Sequence, residues 1–392
     1  MEQPAAPAEI DVAVVGAGIV GSCLAGFLAE EGVRVVIVDA GRSGGTTVNA
    51  GSLHVQMQSR FMQLRPELVP GLESTLHLYA KAVRFWQALE KEIGGDFDLR
   101  ITGGLMVAET QEQLDFLAFK ADRERALGLE VEILDRAQLK AVAPYLGSAV
   151  LGAELCHLEG KLNPLLANAA LQRRLSGLGV MTLLTEVTRI ERGGGSFVLH
   201  TPKQALRANR VVLAAGAGTR GLAAGLGVNI PADPEPLHMN ITEPTAPLIG
   251  HLVQHADRPI TLKQLGAGQV VIGGGWPARL GRNSYPTVEL ASMIGNATLA
   301  QHIVPKIGAL RIIRSWAGIN TLVDGRGVLG AVADVPGLFI AVPGDAGYTL
   351  GPLSARLVAD AMLGRQPSED LAPYSPARLG PLRNEVNSAM RG

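Results

Sequence analysis

The chain has 392 residues, of which 47% are hydrophobic and 18% charged, which is typical of a compact globular protein with two or three domains. Its net charge of −1 offers no basic field for nucleic acid, no apolar run approaches the ~20 residues that span a bilayer, and the first ten residues do not resemble a signal peptide. Two cysteines are too few for a zinc or iron–sulfur site, so we expect a cytoplasmic protein that binds no metal.

The first strong pattern is a strand, a glycine-rich turn, a helix and a second strand between residues 11 and 39. The turn, GAGIVG, has the G-x-G-x-x-G spacing of a dinucleotide-binding unit. There Gly16 allows the tight turn, Gly18 lets a pyrophosphate approach the backbone, and Gly21 lets the helix pack closely on the strand. Asp39 ends the second strand, where an acid can bind the hydroxyls of an adenosine ribose. This order predicts a bound dinucleotide.

A long polar, glycine-rich connection follows, from residue 39 to residue 52. An NAD-binding unit more often enters its second helix within a few residues. Backbone amides and hydroxyls along such a connection can follow a pyrophosphate toward a flavin ring, which favours FAD. An exposed flexible loop is the alternative that composition alone leaves open.

Two later segments resemble the first in pattern. A buried strand runs into a glycine turn over residues 210–218, and another precedes the glycine-rich residues 344–351 and a helix over residues 353–363. Amphipathic periodicity predicts a helix over residues 73–93, and a charged surface helix is predicted over residues 111–127. Three glycines at 193–195 predict a hairpin turn.

Alternating strands separated by proline and glycine turns, from residue 231 to about 276, indicate antiparallel sheet. We therefore expect an α/β, Rossmann-like FAD-binding domain with an inserted α+β domain, mainly of antiparallel sheet, that binds substrate. The expected FAD-binding pieces are residues 1–90, 150–230 and 325–392, and the expected substrate-binding pieces are residues 91–149 and 231–324.

With these motifs the chain resembles the D-amino-acid oxidase, glycine oxidase and sarcosine oxidase family of FAD-dependent oxidoreductases. The resemblance covers nearly the whole chain and implies a FAD-binding domain of the glutathione-reductase type. It rests on residues 16–21 with Asp39, 45–51, 213–218, 273–275, 316–318, 324–325 and 344–352. More narrowly, residues 49–61 and 347–352 resemble the flavin-carrying β subunits of bacterial opine oxidases and D-hydroxyproline dehydrogenases.

The resemblance implies FAD held without a covalent bond. Asn49 stands where some relatives carry a flavin-linked histidine, and Ser315 where monomeric sarcosine oxidases carry a cysteine anchor. A helix starting near Pro352 is expected to aim its positive end at the flavin. The residues expected to contact the cofactor are Gly16, Ala17, Gly18, Ile19, Val20, Gly21, Asp39, Ala40, Gly45, Thr46, Thr47, Asn49, Ala50, Gly51, Ser52, Leu53, Val187, Ala215, Gly216, Gly218, Trp316, Gly318, Gly344, Asp345, Ala346, Gly347, Tyr348, Thr349 and Leu350.

Two departures from the family pattern concern the substrate. Asn320 replaces the arginine with which glycine oxidases hold the substrate carboxylate, so we expect Arg60 to take this role, with a surface salt bridge as the alternative. Val271 stands where sarcosine oxidases place an oxygen-activating lysine. Its absence favours passing electrons to a partner, although the nearby Lys263 leaves the point open.

Other candidates lie close to the expected flavin. His54 is expected to touch flavin or substrate, or else to serve as a hydrogen bonder of its loop. Tyr348 can line the pocket or donate to a backbone carbonyl. His238, Met239 and Asn240 lie on a strand that relatives place near the substrate, although core packing also explains them. His54, Arg60 and Tyr348 are therefore the candidate catalytic residues.

The function implied is oxidation of a C–N bond of an amino or imino acid, with hydride transfer from the substrate α-carbon to flavin N5. An opine such as octopine or nopaline, or a D-hydroxyproline- or proline-like acid, is the expected substrate. A partner subunit with FMN, in it or at the interface, or with an iron–sulfur cluster would accept the electrons, and it could attach the complex to a membrane. The alternatives are a stand-alone oxidase of glycine, sarcosine or D-amino acids that makes hydrogen peroxide, a hydrogen cyanide synthase subunit that oxidises glycine, and an assembly subunit in which FAD is structural.

Overall fold

The computed structural model describes residues 10–42, 44–281 and 285–382. Within them the α-helices are α1 (Ile19–Glu30), α2 (Ser59–Leu64), α3 (Val69–Ile93), α4 (Gln111–Ala126), α5 (Arg136–Val142), α6 (Pro164–Gly177), α7 (Thr219–Ala224), α8 (Leu290–Ile303) and α9 (Gly347–Met362). The strands are β1 (Ile10–Val15), β2 (Val35–Asp39), β3 (Ser52–Leu53), β4 (Arg100–Ile101), β5 (Gly104–Ala108), β6 (Val131–Leu134), β7 (Gly152–Cys156), β8 (Gly160–Lys161), β9 (Met181–Leu184), β10 (Arg189–Gly193), β11 (Ser196–His200), β12 (Ala205–Leu213), β13 (Asp233–Pro244), β14 (Leu252–His255), β15 (Thr261–Gln264), β16 (Gln269–Gly273), β17 (Arg279–Leu280), β18 (Pro286–Thr287), β19 (Ile312–Leu322), β20 (Val328–Ala331) and β21 (Leu338–Val342).

The first sheet has a parallel centre in the order β9-β2-β1-β12-β21, extended by antiparallel β10, β11 and β20. Both of its faces are buried, as the continuous apolar runs of its strands predict. Val12 and Val14 pack in a cluster with α1, α3, α6 and α9, whereas Ala13 and Val15 belong to a cluster on the other face. The Rossmann-like fold class is confirmed.

The predicted hairpin is also present. β10 and β11 pair antiparallel through Gly193 and Ser196, and Gly194 and Gly195 between them have φ angles of +61° and +80°. Two successive residues in the left-handed region characterise a type I′ turn, and glycine adopts this conformation most easily.

The second sheet has the order β19-β13-β16-β15-β14-β5-β7-β6. Every pair of adjacent strands in this sheet is antiparallel except β14 and β5, which are parallel. In a short third sheet, β8 pairs with β3, which follows the glycine-rich connection, and with β4, which precedes β5. The inserted, mainly antiparallel part of the fold is therefore confirmed.

One predicted boundary between the two sheets is wrong. Residue 150 was expected to begin a piece of the FAD-binding domain, but β7 pairs with β5 and β6 of the second sheet. This strand is only five residues long and entirely buried, so no alternation of polar and apolar residues reveals its sheet. The predicted domain ends, residues 1–9 and 383–392, lie outside the described residues. The rest of the division stays a prediction.

The closing helix begins earlier than predicted. α9 starts at Gly347 instead of near Pro352, and Pro352 lies inside the helix. Proline has no N–H, so the carbonyl of Tyr348, four residues earlier, has no helical donor. Trp86 Nε1 supplies the missing hydrogen bond, at 3.2 Å from the carbonyl oxygens of both Tyr348 and Thr349. The helix therefore continues through the proline.

In the part of the chain that the structure describes, no helix is both long enough and apolar enough to cross a membrane.

Candidate functional site

Two glycines shape the turn between β1 and α1. Gly16 has a φ of +111°, and a Cβ there would lie 2.5 Å from the carbonyl oxygen of Ala214. A Cβ on Gly21 would lie 1.9 Å from the carbonyl oxygen of Gly16, so the helix can approach the strand this closely only with glycine. Gly18 differs, because Thr46 Oγ1 at 3.1 Å is the nearest atom to its Cβ position. Gly18 lines the main cavity.

Asp39 lies beside the N-terminus of α1. Its Oδ2 accepts a hydrogen bond from the Ala17 amide and its Oδ1 one from the Gly41 amide, each at 2.7 Å. A carboxylate has about four acceptor positions, so two remain for the hydroxyls of a ribose. The Ile19 amide at the start of α1 donates to Thr46 Oγ1 at 2.8 Å. The turn thus offers a positive helix end next to a hydroxyl-binding acid.

The connection after Asp39 is fastened to the second sheet. Trp316 Nε1 donates to the Val48 carbonyl at 2.8 Å, and a Cβ on Gly318 would lie 2.4 Å from Val48 Cγ2. Asn49 Oδ1 accepts from the Gly51 amide at 2.7 Å, which closes a local turn. Residues 48–52 are half-buried or buried, whereas Ala40, Gly41, Arg42, Gly45 and Thr47 are exposed. The alternative of an exposed loop is therefore wrong only for the second half of the connection.

A cavity of about 1910 Å³ joins this turn to the second sheet. Ligand pockets for drug-sized molecules usually measure about 300–1,000 Å³, so there is room for a dinucleotide and a small acid. The expected cofactor residues that line the cavity are Gly16, Ala17, Gly18, Ile19, Val20, Asp39, Ala40, Gly45, Thr46, Thr47, Asn49, Ala50, Ser52, Val187, Ala215, Gly216, Gly218, Gly318, Gly344, Asp345, Ala346, Gly347, Tyr348, Thr349 and Leu350.

Four expected cofactor residues lie behind the cavity wall instead. Gly21 contacts the backbone of the turn, and Trp316 binds the Val48 carbonyl. A Cβ on Gly51 would lie 2.3 Å from the Leu162 carbonyl oxygen, and Leu53 is fully buried in the core. The motif residues were expected to touch the cofactor, but these four shape the segments that line the cavity.

Tyr348 lines the cavity, but its ring and hydroxyl are engaged in packing. The ring stacks on Trp86 with 5.4 Å between centroids, and the hydroxyl donates to Asn168 Oδ1 at 3.1 Å. Burial raises the pKa of the hydroxyl further above its usual range. Tyr348 therefore positions α9 against α3 and α6, and the structure gives no support to a role in proton transfer.

His54 lines the end of the cavity that borders the second sheet, which we name the substrate end because the sequence predicts that this sheet binds substrate. Its side chain is 27% exposed, and Nδ1 is buried without a hydrogen-bond partner, 4.0 Å from Glu159 Oε1. Burial is the main cause that lowers the pKa of His54, to about 4. His54 is therefore a neutral imidazole facing the cavity at physiological pH.

A buried carboxylate that the sequence did not reveal supports the loop after His54. Glu159 Oε1 accepts from the backbone amides of Val55 and Gln56 at 2.8 and 3.1 Å. Its Oε2 accepts from the side chains of Gln56 and Gln254 at 3.0 and 2.9 Å. Burial raises the pKa of Glu159 to about 7, and these donors oppose that rise. Glu159 thus stabilises the loop after His54 through hydrogen bonds to its backbone.

A second buried group lies behind the same loop. Lys120 pairs with Glu124 at 3.0 Å and with Glu154 at 2.7 Å, and all three side chains are fully buried. Glu124 Oε1 also accepts from the Met57 amide at 2.5 Å. The prediction of a charged surface helix over residues 111–127 is therefore wrong for one face of α4. Charge in the sequence does not distinguish a solvated residue from one paired in the core.

Lys263 is the other unexpected feature of the substrate end. It is 1% exposed, it lines the cavity, and its Nζ has no hydrogen-bond partner among the described residues. It pairs with Val271 across β15 and β16, so both side chains lie on the same face of the sheet. A lysine therefore stands directly opposite the position where the family pattern lacked one.

The expected carboxylate clamps differ in their surroundings. Arg60 is exposed in the first turn of α2, lines the cavity and forms no ion pair with any described residue. Asn320 Nδ2 donates to Glu235 Oε2 at 3.0 Å, and Glu235 also lines the cavity. An acid there would repel a substrate carboxylate, which agrees with the loss of the family's arginine at Asn320. Arg258 lines the cavity but is bound to Glu109.

The strand segment of residues 238–240 divides between cavity and core. His238 and Met239 line the cavity, and both ring nitrogens of His238 are buried without a partner. Asn240 lies in the core, where its Nδ2 donates to Asn296 Oδ1 at 3.0 Å and its Oδ1 accepts from Ser315 at 2.6 Å. The core interpretation of Asn240 is therefore correct, and Ser315 points to the same interior group.

Residues 11–361 match the family model described as "DAO: FAD dependent oxidoreductase". The chain belongs to this family. It is 28% identical to the glycine oxidase of Geobacillus kaustophilus over 94% of its length and 97% of that protein. It is 26% identical to the B subunit of opine oxidase from Agrobacterium tumefaciens, over 95% and 98% of the two chains. The beta subunit of sarcosine oxidase from Rhodobacter capsulatus is 25% identical, over 88% and 85%.

Solved structures show the same fold for this FAD-dependent oxidoreductase. The crystal structure of glycine oxidase from Geobacillus kaustophilus superposes with a TM-score of 0.83 at 27% identity, covering 94% of this chain and 99% of that one. L-Proline dehydrogenase from P. horikoshii superposes with a TM-score of 0.80 at 22% identity, covering 95% and 98%.

The residues of this oxidoreductase fit FAD. A Cβ would fill the turn at Gly16, Gly18 faces the cavity, and Asp39 keeps two acceptor positions for the ribose. α9 begins at Gly347 without a side-chain cap, so its first amides are available at the cavity wall. The chain is thus an FAD-dependent enzyme that acts on C–N groups, as its relatives among the glycine, sarcosine and opine oxidases are named.

Proposed function

We propose that this chain is the flavin-carrying subunit of an amino- or imino-acid dehydrogenase whose electrons pass to a partner redox subunit. The observation that supports it most is the continuity of the cavity from the Gly16–Asp39 turn to His54 and Lys263. Opines such as octopine and nopaline, and D-hydroxyproline- or proline-like acids, are the proposed substrates. The relatives named as subunits of opine oxidase and of sarcosine oxidase favour a multi-subunit enzyme.

In the proposed reaction FAD supplies the two-electron acceptor for the hydride of the substrate α-carbon. The chain's own residues bind and orient the substrate. Buried groups on β13, β15 and the loop after β3 would enclose it, and Glu159 accepts hydrogen bonds from two backbone amides of that loop. The hydride transfer itself requires no protein acid, and His54 faces the cavity as a neutral imidazole.

The other end of the cavity, beside the Gly16–Asp39 turn, would hold FAD. The cavity-lining members of the expected set would contact FAD, whereas Gly21, Gly51, Leu53 and Trp316 would act from behind. The first sheet would form the FAD-binding domain, and the second sheet, now including β7, the substrate-binding domain.

Anaerobic reduction of the bound flavin tests this function. The FAD-loaded chain is mixed with opines, D-hydroxyproline, proline, sarcosine and glycine, and the visible absorbance of the flavin is followed. We expect at least one of these acids to bleach it fully, and the corresponding amines without a carboxylate to leave it oxidised. Failure of every amino and imino acid would favour a structural role for FAD.

A stand-alone oxidase is the second candidate. Lys263 opposite Val271 favours it, because this places a basic side chain on the sheet face where sarcosine oxidases carry theirs. Three glycine oxidases are also among the relatives. Rapid formation of hydrogen peroxide by the isolated chain, in step with substrate consumption, would identify this activity.

A further inference from the structure

Lys263 is a buried amine for which the protein provides no partner. It lies in β15, between β14 and β16 of the second sheet, and it is 1% exposed. Among the residues that the structure describes, none lies within hydrogen-bond distance of Nζ, and no carboxylate lies within ion-pair distance. An unpaired ammonium in such a place is strongly disfavoured. Either the amine is neutral or a ligand anion pairs with it.

The groups around Lys263 add no negative charge. The charged neighbour that acts on it is Lys161, and His54 faces the same space as a neutral imidazole. Glu159, the buried acid behind the loop after His54, does not line the cavity, and its oxygens are already occupied by four donors. Burial and Lys161 hold the pKa of Lys263 well below its usual range. Burial, the missing partner and Lys161 therefore all disfavour the protonated form of this amine in the free enzyme.

Other cations at the cavity are already engaged or lie elsewhere. Arg258 and Arg42 form ion pairs with Glu109 and Glu186. Arg65 pairs with Glu67. Arg326 is only half-buried and lies against Gly71 in the first turn of α3, although its Nε has no hydrogen-bond partner among the described residues. Arg60 also lines the cavity, but it is exposed to solvent on α2. Lys263 is thus a fully buried cavity-lining base with no competing partner, and this is the environment in which a charge pair is strongest.

We propose that Lys263 anchors the carboxylate of the substrate and takes up the proton that the substrate ammonium must lose. This rests on the proposed amino- or imino-acid function. The N–H bond of the ammonium breaks, its electron pair stays on the substrate nitrogen, and a bond from Nζ to hydrogen forms. A neutral lysine and a zwitterion become an ammonium–carboxylate pair and a neutral substrate amine.

This proton transfer keeps the site free of net charge and also activates the substrate nitrogen. The site carries no net charge before or after the transfer, so no uncompensated charge is buried at either stage. The substrate nitrogen gains the lone pair that oxidation of the neighbouring C–H bond requires. An arginine anchor, as glycine oxidases use at the position of Asn320, cannot accept a proton because guanidinium stays protonated. The substrate class is therefore an amino or imino acid with a free carboxylate.

Two small probes separate anchoring from structural support. 2-Aminoisobutyrate has a carboxylate and an ammonium but no α-hydrogen, so it binds without being oxidised, and isopropylamine is the same molecule without the carboxylate. Both are titrated into the FAD-loaded wild type, Lys263→Met and Lys306→Met, with the flavin spectrum as the signal. Lys306 is exposed, and its replacement controls for the substitution itself.

We expect Lys263→Met to weaken binding of 2-aminoisobutyrate about 30-fold or more and to leave that of isopropylamine unchanged. Lys306→Met should match the wild type with both probes. Equal binding of 2-aminoisobutyrate by Lys263→Met and wild type, or equal losses for both probes, overturns the proposal. Thermal unfolding and flavin content confirm that each variant is folded.

Lys263→Arg tests the proton. The guanidinium keeps the anchoring charge, so 2-aminoisobutyrate should still bind, but the substrate ammonium must then lose its proton to water. The pH profile of anaerobic flavin reduction should move to higher pH relative to the wild type, and an unmoved profile overturns the proton role. If no amino or imino acid reduces the wild-type flavin, the proposed function itself fails. If one does and Lys263→Met binds it normally, only the assignment of Lys263 fails.

Discussion

Gly18 and Gly21 lie three residues apart in the same turn, but their surroundings differ. The Cβ position of Gly21 overlaps the Gly16 carbonyl, which is part of the protein's own backbone. The Cβ position of Gly18 has only Thr46 Oγ1 nearby, at 3.1 Å, and it faces the cavity. Gly21 is therefore required for the packing of the helix on the strand, whereas Gly18 leaves space in the cavity for a ligand.

A valine at each position should separate these roles. Gly18→Val should fold with nearly the melting temperature of the wild-type apoprotein but retain almost no FAD, because its side chain fills the space of the pyrophosphate. Gly21→Val should lose FAD and also destabilise the apoprotein by about 1–3 kcal/mol, because the strand and helix must separate. Flavin released by acid precipitation and thermal unfolding of the apoproteins measure the two effects. Equal unfolding behaviour of the two variants would contradict this distinction.

At the scale of elements, α9 depends on a tryptophan from another helix. Pro352 removes the helical donor for the Tyr348 carbonyl, and Trp86 Nε1 of α3 replaces it at 3.2 Å. Trp86 is fully buried and also stacks on the Tyr348 ring. The helix whose first turn borders the cavity is therefore held by a hydrogen bond from the core as well as by packing.

Trp86→Phe keeps an aromatic ring but loses the donor. We expect it to lower the free energy of unfolding by about 1–3 kcal/mol, since buried carbonyls are left without a partner. Pro352→Ala supplies an N–H to the Tyr348 carbonyl, so the double variant should lose less stability than the sum of the two single changes. Denaturant unfolding of the wild type, the two single variants and the double variant gives a double-mutant cycle. Strict additivity would show that the tryptophan acts through packing alone.

At the scale of the whole molecule, two sheets enclose one cavity, and electrons that arrive there must leave through another group. Two of the relatives, from opine oxidase and from sarcosine oxidase, are named as subunits. Lys263 on the sheet face opposite Val271 is the feature that favours direct reaction with oxygen instead.

Reoxidation of the reduced chain distinguishes electron transfer to a partner subunit from direct reaction with oxygen. If the chain is a dehydrogenase subunit, an artificial dye should reoxidise it much faster than oxygen, and purification from the native host should bring down another redox subunit. Stopped-flow absorbance and analysis of the co-purified proteins provide the measurements. Rapid turnover with oxygen by a chain that purifies alone would favour the stand-alone oxidase.

Much of the cofactor end could be predicted from the sequence, because its requirements are local. A glycine at a φ of +111°, a buried apolar strand and an acid at the end of the next strand all follow from residues within one stretch of 29 positions, 11 to 39. The hairpin at Gly194 and Gly195 is equally local. The start of α9 was missed because the sequence does not show that Trp86 compensates for Pro352.

The substrate end was decided by tertiary structure. Glu159 and Gln56 are 103 residues apart, and β7 joins its sheet through strands on both sides. Lys120 and Lys263 resemble surface lysines in the sequence, yet one is paired in the core and the other is unpaired at the cavity. The free energy of a charged group depends on its burial and its partners, and both are set by distant residues that only the folded chain brings together. The sequence thus determined the family and its cofactor, whereas the fold determined which side chains line the cavity beside the second sheet.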